Sequence, residues 1–188
     1  MMNVIIKPLE NDLHLIENVQ QFLFNQIQKE FGHGYVPEWH QDIIKMDEYY
    51  ISPERNNFFV AFNAENNEII ATIGLRAYDK NFEEFGNMYT KDKTASIWRL
   101  FVLNKYRRCG LASKMFNIAE NLANSCGYED IYLHTHKTLN GALEFWSKMG
   151  FVVILDSCDK LKTVHMDKKI NGIEIDNVQS SFKYAVEF

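Results

Sequence analysis

Two kinds of apolar spacing alternate along the chain, and they predict its elements. Short unbroken runs read as strands, and apolar residues recurring every third or fourth position read as helices. Asn3 to Leu9 is a short strand. Asn11 or Asp12 can cap the helix that follows, whose apolar row is Ile16, Val19, Leu23 and Ile27 with Phe22 beside it; Gly32 and Gly34 end it. Pro37 suits the first turn of a second helix with Trp39, Ile43, Met46 and Tyr50 on one face, closed by Ser52-Pro53. Phe58 to Phe62 and Ile69 to Leu75 pair as a hairpin across A-E-N-N-E. Tyr78 to Lys93 reads as a long polar loop carrying Phe82, Phe85 and Tyr89.

Leu100 to Leu103 is a further strand. From Leu111 two parallel rows, 111-115-118-122 and 112-116-119-123, mark an amphipathic helix, with Gly127 as its C-terminal cap. Ile131 to His136 alternates Ile131, Leu133 and Thr135 with Tyr132, His134 and His136. A helix from about Asn140 to Met149 ends at Gly150. Phe151 to Leu155 and Thr163 to Lys169 close as a hairpin, and Phe182 to Phe188 is a last strand-like run. No repeat or linker interrupts the order β-α-α-β-β-β-α-β-α-β-β, so residues 1–188 read as one α/β (α+β) domain with 171–188 as a C-terminal strand extension.

Composition narrows the function. An apolar fraction of 46% supports a packed core, and a net charge of −5 argues against a nucleic-acid partner. Cys109, Cys126 and Cys158 are odd in number and widely spaced, so free thiols are expected, with no metal site. Asn11, Asp12, His14 and Glu17 interrupt any secretory signal, and no apolar run reaches membrane-spanning length; the expectation is a soluble, cytoplasmic protein with no membrane partner. G-H-G-Y-V-P at residues 32–37 is no dinucleotide fingerprint, because Pro37 stands where a third Gly is needed.

Against that acidic background, Arg107-Arg108-Cys109-Gly110-Leu111-Ala112 is a basic turn leading from strand to helix. The first amides of a helix have no internal partner, and the dipole favours an anion there. Gly110 and Ala112 leave room for a phosphate to approach the backbone. The bland alternative is a connection that happens to be basic and small.

This turn resembles the R/Q-x-x-G-x-G/A motif of the GNAT superfamily of N-acetyltransferases, as Arg107-x-x-Gly110-x-Ala112 after Leu100-Phe101-Val102. A second match, Ala142 to Phe151 (A-L-E-F-W-S-K-M-G-F), resembles the family's A-x-x-Φ-Y-x-K-x-G-F signature. The resemblance is dense from Thr94 to Lys169. It implies the GNAT fold, a mixed, mostly antiparallel central sheet with helices on both faces, and acetyl-CoA as co-substrate without a metal. It further implies that backbone groups of Leu100, Phe101 and Val102 hold the pantetheine arm, and that the amides of Arg108, Cys109, Gly110, Leu111, Ala112 and Ser113, beside Arg107, bind the pyrophosphate.

The sequence departs from the family at two places. Trp146 stands where many members carry a Tyr that protonates the leaving thiolate, and an indole is no usable acid. Tyr106, Tyr132, Tyr35 and Tyr78 are the alternative donors, and Trp146 itself reads as packing against the cofactor. The family's Asn position falls on Leu139, so Asn140 either reaches the cofactor from one residue later or caps its helix. His134 is the candidate base, with His136 a weaker one; the alternative is a packed histidine beside Tyr132. The acceptor region implied by the family offers His33, Tyr35, Trp39, Tyr49, Tyr50, Arg76, Tyr78 and Trp98, while Arg76 and Arg99 either hold an acceptor carboxylate or pair with local acids.

The resulting expectation is an acetyl-CoA-dependent transfer to a primary amine of a small molecule, amino acid derivative or peptide, by direct attack in a ternary complex. A non-catalytic acyl-CoA sensor and a transferase of longer acyl groups are the alternatives. A homodimer built on the C-terminal strand is an option that no specific residue requires.

Overall fold

The first amphipathic stretch folds as helix α1, Leu13–Phe31, because its start and stop signals both work. The Asp12 side chain accepts from the amides of His14 and Leu15 at 2.9 and 3.1 Å. Gly32, at φ 74°, lets its amide return to the Gln28 carbonyl. The computed structural model describes residues 3–80 and 82–170; the strand expected at Phe182 to Phe188 lies outside them.

The chain divides into two compact units. Among the described residues, the first holds the chain up to Arg76 together with Trp98–Ala119; the second holds Ala77–Ile97 and residues 120–170. Seven strands among the described residues follow one hydrogen-bonded order, β1-β2-β3-β4-β5-β7-β6. In the first unit β1 (Val4–Pro8), β2 (Asn57–Asn63) and β3 (Ile69–Ala77) pair antiparallel. The final residues of β4 (Thr94–Val102) belong there too, where the Leu103 amide bonds the Ile70 carbonyl. Strands β2 and β3 are buried on both faces, which is why they read as unbroken apolar runs. The core sets Ile16, Val19, Leu23 and Ile27 of α1 against Phe58 and Val60 of β2 and against Ile43, Met46 and Tyr50.

In the second unit the start of β4 pairs in parallel with β5 (Asp130–His136), Thr94–Ser96 against Asp130–Tyr132. Strand β7 (Thr163–Lys169) lies antiparallel between β5 and β6 (Val152–Asp156). One parallel pairing within an otherwise antiparallel order agrees with the sheet expected. Helix α3, Leu111–Ser125, falls where its periodicity put it, and helix α4, Ala142–Lys148, lies within the stretch expected from about Asn140 to Met149.

Two expectations change. The second helix is not continuous: a turn at Pro37–Trp39 leads into α2, Gln41–Ile44, and a separate π-helical turn covers Asp47–Ile51. Ile43, Met46 and Tyr50 are buried, but Trp39 is 53% exposed and does not share their face. The wider turn brings the Tyr50 hydroxyl back onto Asp42, at 2.7 Å. The stretch from Tyr78 to Lys93 is also more than a polar loop. It forms a short 3-10 turn, Glu83–Phe85, and buries Tyr78, Phe85 and Tyr89 against Tyr132. Among the described residues no helix is long and apolar enough to cross a membrane.

Candidate acyl-CoA site

Strand β4 delivers the basic turn directly. After Val102 a 3-10 turn, Asn104–Tyr106, leads to Arg107, and the bond from the Lys114 amide to the Gly110 carbonyl, 3.0 Å, closes the first turn of α3. Leu111, Ala112 and Ser113 are therefore the first three residues of the helix, whose amides have no acceptor within it. Gly110 takes φ 81°, and a Cβ built there would meet nothing within 4 Å. Glycine is thus favoured by the backbone conformation, while the space above it is open. Arg108, at φ 62°, adopts the left-handed conformation at a cost of about 1–2 kcal/mol. Small residues, open space and outward amides fit a phosphate group.

The two arginines play different parts. The Arg107 side chain turns back into the protein: its Nε donates to the Val102 carbonyl at 3.0 Å and its Nη2 pairs with Glu30 of α1. It therefore braces the end of β4, and much of its charge is answered by Glu30. The Val102 carbonyl, one of the groups assigned to the pantetheine arm, is engaged by that brace. Arg108 is exposed and leaves its charge at the mouth of the turn. Cys109, also exposed, donates its thiol to the Tyr106 carbonyl at 2.8 Å, a role within the turn.

Upstream on β4 lies a polar cluster that the sequence did not reveal. Arg99 donates from Nε and Nη2 to the two oxygens of Asp42, at 2.9 and 2.6 Å, and from Nη2 to the Trp39 carbonyl at 2.7 Å. Burial alone would raise the Asp42 carboxyl; the bonds and charge of Arg99 and the Tyr50 hydroxyl outweigh it, and the group sits below its ordinary value. Of the two roles open to Arg99, pairing with a local acid is the one observed. Arg76 is buried, with its guanidinium carbon 3.9 Å from the centre of the Trp98 ring and 4.8 Å from that of Tyr49. No short-range pattern marks the Asp42–Arg99 pair, because 57 positions separate the partners.

The aromatic acceptor candidates fall into separate groups. In the first unit His33 stacks on His40 with ring centres 5.8 Å apart and meets Trp39 edge-on at 5.5 Å, and Tyr35 packs edge-on against Phe24. Tyr50 is a core residue. Tyr78 belongs to the second unit, against Tyr89 and Tyr132 at 5.3 and 5.1 Å.

In the second unit His134 is half-buried on β5, with ring centres 6.1 Å from His165 and 6.4 Å from His136. His165 is buried and bonded at both ring nitrogens, to the Tyr132 hydroxyl at 2.6 Å and the Ser157 hydroxyl at 2.9 Å. The tautomer protonated at Nε2 satisfies both: Tyr132 donates to Nδ1, and Nε2–H donates to Ser157. Burial raises the Tyr132 and Tyr78 hydroxyls above the ordinary phenol value, which makes both poor acids for a leaving thiolate. Tyr106 donates its hydroxyl to Glu68 at 3.1 Å, and Tyr35 is 48% exposed. Trp146 is 6% exposed and packs edge-on between Phe145 and Phe151, 4.9 and 5.2 Å between ring centres. Asn140 is exposed and does not cap α4; the capping position is Gly141, at φ 77°, and it makes no side-chain cap bond.

A family model described as Acetyltransferase (GNAT) family matches residues 20–151. A probable N-acetyltransferase, san, of Drosophila melanogaster is 36% identical over 69 residues, 34% of this chain and 38% of that protein. The chain is thus aligned with 38% of the length of the curated relatives it matches. An acetyltransferase from Streptococcus agalactiae 2603 superposes with a TM-score of 0.71 at 22% identity, over 89% of this chain and 98% of the other. A chain of the NatC complex bound to Gag peptide and CoA superposes at 0.68 and 17% identity, over 90% and 100%.

Proposed function

The chain belongs to the GNAT family of acetyltransferases, and from that membership we propose that it moves an acetyl group from acetyl-CoA to a primary amine of a small molecule, amino acid derivative or peptide. The observation that carries this reading is the turn at the end of β4. Three outward amides, an open Gly110 and an exposed Arg108 form a seat for the pyrophosphate. Leu100 and Phe101 supply backbone groups along the pantetheine arm, and Arg107 holds the strand end in place. The amine attacks the thioester carbonyl, the C–N bond forms as the C–S bond breaks, and the thiolate leaves and takes up a proton. His134 is the proposed base. With Tyr132 and Tyr78 raised by burial, we assign thiolate protonation to water or to Tyr35 or Tyr106. Solved structures of the same fold holding CoA support the choice of co-substrate.

A second reading, an acyl-CoA-binding module without turnover, draws on Trp146, whose buried indole cannot supply the proton. Calorimetric titration of acetyl-CoA into wild type, Gly110→Glu and Gly110→Asn tests the site. Glutamate places an anion beside the phosphates and should weaken binding by about tenfold or more, equivalent to about 1.4 kcal/mol. Asparagine tolerates the left-handed backbone and should bind nearly as wild type. Absence of binding to wild type, or equal binding to the glutamate variant, removes the assignment. Release of free thiol with an amine panel separates the two readings, because tight binding without turnover selects the second. In the enzyme, His134→Gln should change the pH profile of kcat/KM, which a packing role would leave unaltered.

A further inference from the structure

Arg99 combines two features that are rarely found together. It is a long side chain with backbone at φ 51°, in the left-handed region that residues with a Cβ avoid, and it lies in the middle of a strand. Such a conformation persists only where the surroundings over-determine it. Here both ends of the residue are held. The Thr72 hydroxyl donates to the Arg99 carbonyl at 2.9 Å. The guanidinium is fixed on Asp42 in a two-point pair whose side chains are 14% and 4% exposed. That pair accounts for Nε and one Nη2 bond; a second Nη2 bond reaches the Trp39 carbonyl, in the segment between α1 and α2.

We propose that Arg99 is a positioning residue that ties the Trp39 segment to the β4 end, so that amine and thioester are set in register. This rests on the acetyltransferase reading above. The residues immediately after Arg99, Leu100 to Val102, are the ones assigned to the acyl-CoA arm. The segment at the other end of the tether, from His33 to Gln41, carries exposed Tyr35 and Trp39, and it is where the acetyltransferase reading places the acceptor. One guanidinium therefore spans the two substrate-bearing elements of the first unit. Asp42 supplies its orientation: a two-point carboxylate pair fixes the plane of the guanidinium, and only that plane directs Nη2 at the Trp39 carbonyl. Lysine cannot reproduce this, since a single ammonium offers no fixed plane.

The test uses the intact chain and Arg99→Gly. Glycine adopts a positive φ freely, so it preserves the β4 backbone while removing the tether. The expected result is a split. Acetyl-CoA affinity should stay within about threefold of wild type, while kcat/KM for the amine falls by about ten- to a hundredfold through misplacement of the acceptor. Amide exchange should quicken over Val36 to Ile43 and stay unchanged over Leu100 to Leu103. Millimolar methylguanidine, which fills the vacated space beside Asp42, should restore part of the amine kcat/KM. Asp42→Asn, which keeps the shape but weakens the pair, should show the same split to a smaller degree. Unchanged exchange over Val36 to Ile43 overturns the proposal, as does a parallel loss of acetyl-CoA affinity and amine kcat/KM. Failure of wild type to bind acetyl-CoA would overturn the functional reading instead, and the exchange measurement would then decide the tether by itself.

Discussion

Asp42 is charged although it is buried, because Arg99 and Tyr50 replace the water it has lost. Its carboxyl is held below the ordinary value, so its contribution to stability is complete above about pH 3.9 and is lost as pH falls through the folded-state value. Asp42→Asn should accordingly flatten the acid limb of a stability–pH curve measured by urea unfolding. Tyr50→Phe removes one donor from the buried carboxylate and should lower stability by about 1–3 kcal/mol in the same assay. His165 works in the same direction at higher pH. Burial lowers it, and its neutral form is the one that accepts from Tyr132. Its share of stability is complete above about pH 6.5, erodes as the unfolded state takes up a proton below that, and is gone below the folded-state value. His40 is lowered too, by burial and then by Arg99, and its Nδ1 accepts from the Val36 amide. Urea midpoints should therefore fall between about pH 7.5 and 5.5, and His165→Gln should flatten part of that slope. None of these pairings was legible in the sequence. His134 was picked out there by its residue type and strand position, whereas His165, bonded at both ring nitrogens, carries no local signal.

At the scale of elements, local rules served well where the segment is self-contained. Asp12 and Gly32 delimit α1 through their own chemistry, and Asp12→Ala should destabilise by about 1 kcal/mol in urea melts. The rows along α3 put Met115, Phe116, Ala119 and Ala123 in the core as the spacing required. The second helix failed the same treatment. Its apolar residues have helical spacing, but the buried Tyr50–Asp42 bond is met by a break at Lys45 and a π turn, and periodicity says nothing about a bond across that break. Gly74 is another case. In sequence it only weakens a strand, yet a Cβ there would lie 2.6 Å from the Tyr50 ring and 3.1 Å from Phe58. Gly74→Ala should cost about 1–3 kcal/mol and loosen Tyr50 and Asp42 with it, visible as a lower urea midpoint.

At the scale of the whole molecule, ligand binding and folding are linked. Acetyl-CoA at about 100 times its Kd should stabilise the wild-type chain by about 2.7 kcal/mol, read as a rise in thermal midpoint that Gly110→Glu cuts to about half or less at the same concentration. The bonds that shape each unit join distant positions: Asp42 to Arg99, Tyr89 to Asp167 at 2.8 Å, and Tyr132 to His165. Partners of this kind are set by which strands become neighbours, and β7 entering between β5 and β6 is what brings His165 opposite His134. The sequence by itself determined α1, α3, α4, the strands among the described residues and the small, basic turn before α3, because caps, side-chain period and small residues act within a few positions of one another. Only the tertiary structure decided that Arg107 braces Val102 against Glu30, that Trp146 is buried between two phenylalanines, and that Arg99 bridges Asp42 and Trp39. Those roles depend on desolvation and on partners brought together by the sheet, and neither is a property of neighbouring residues.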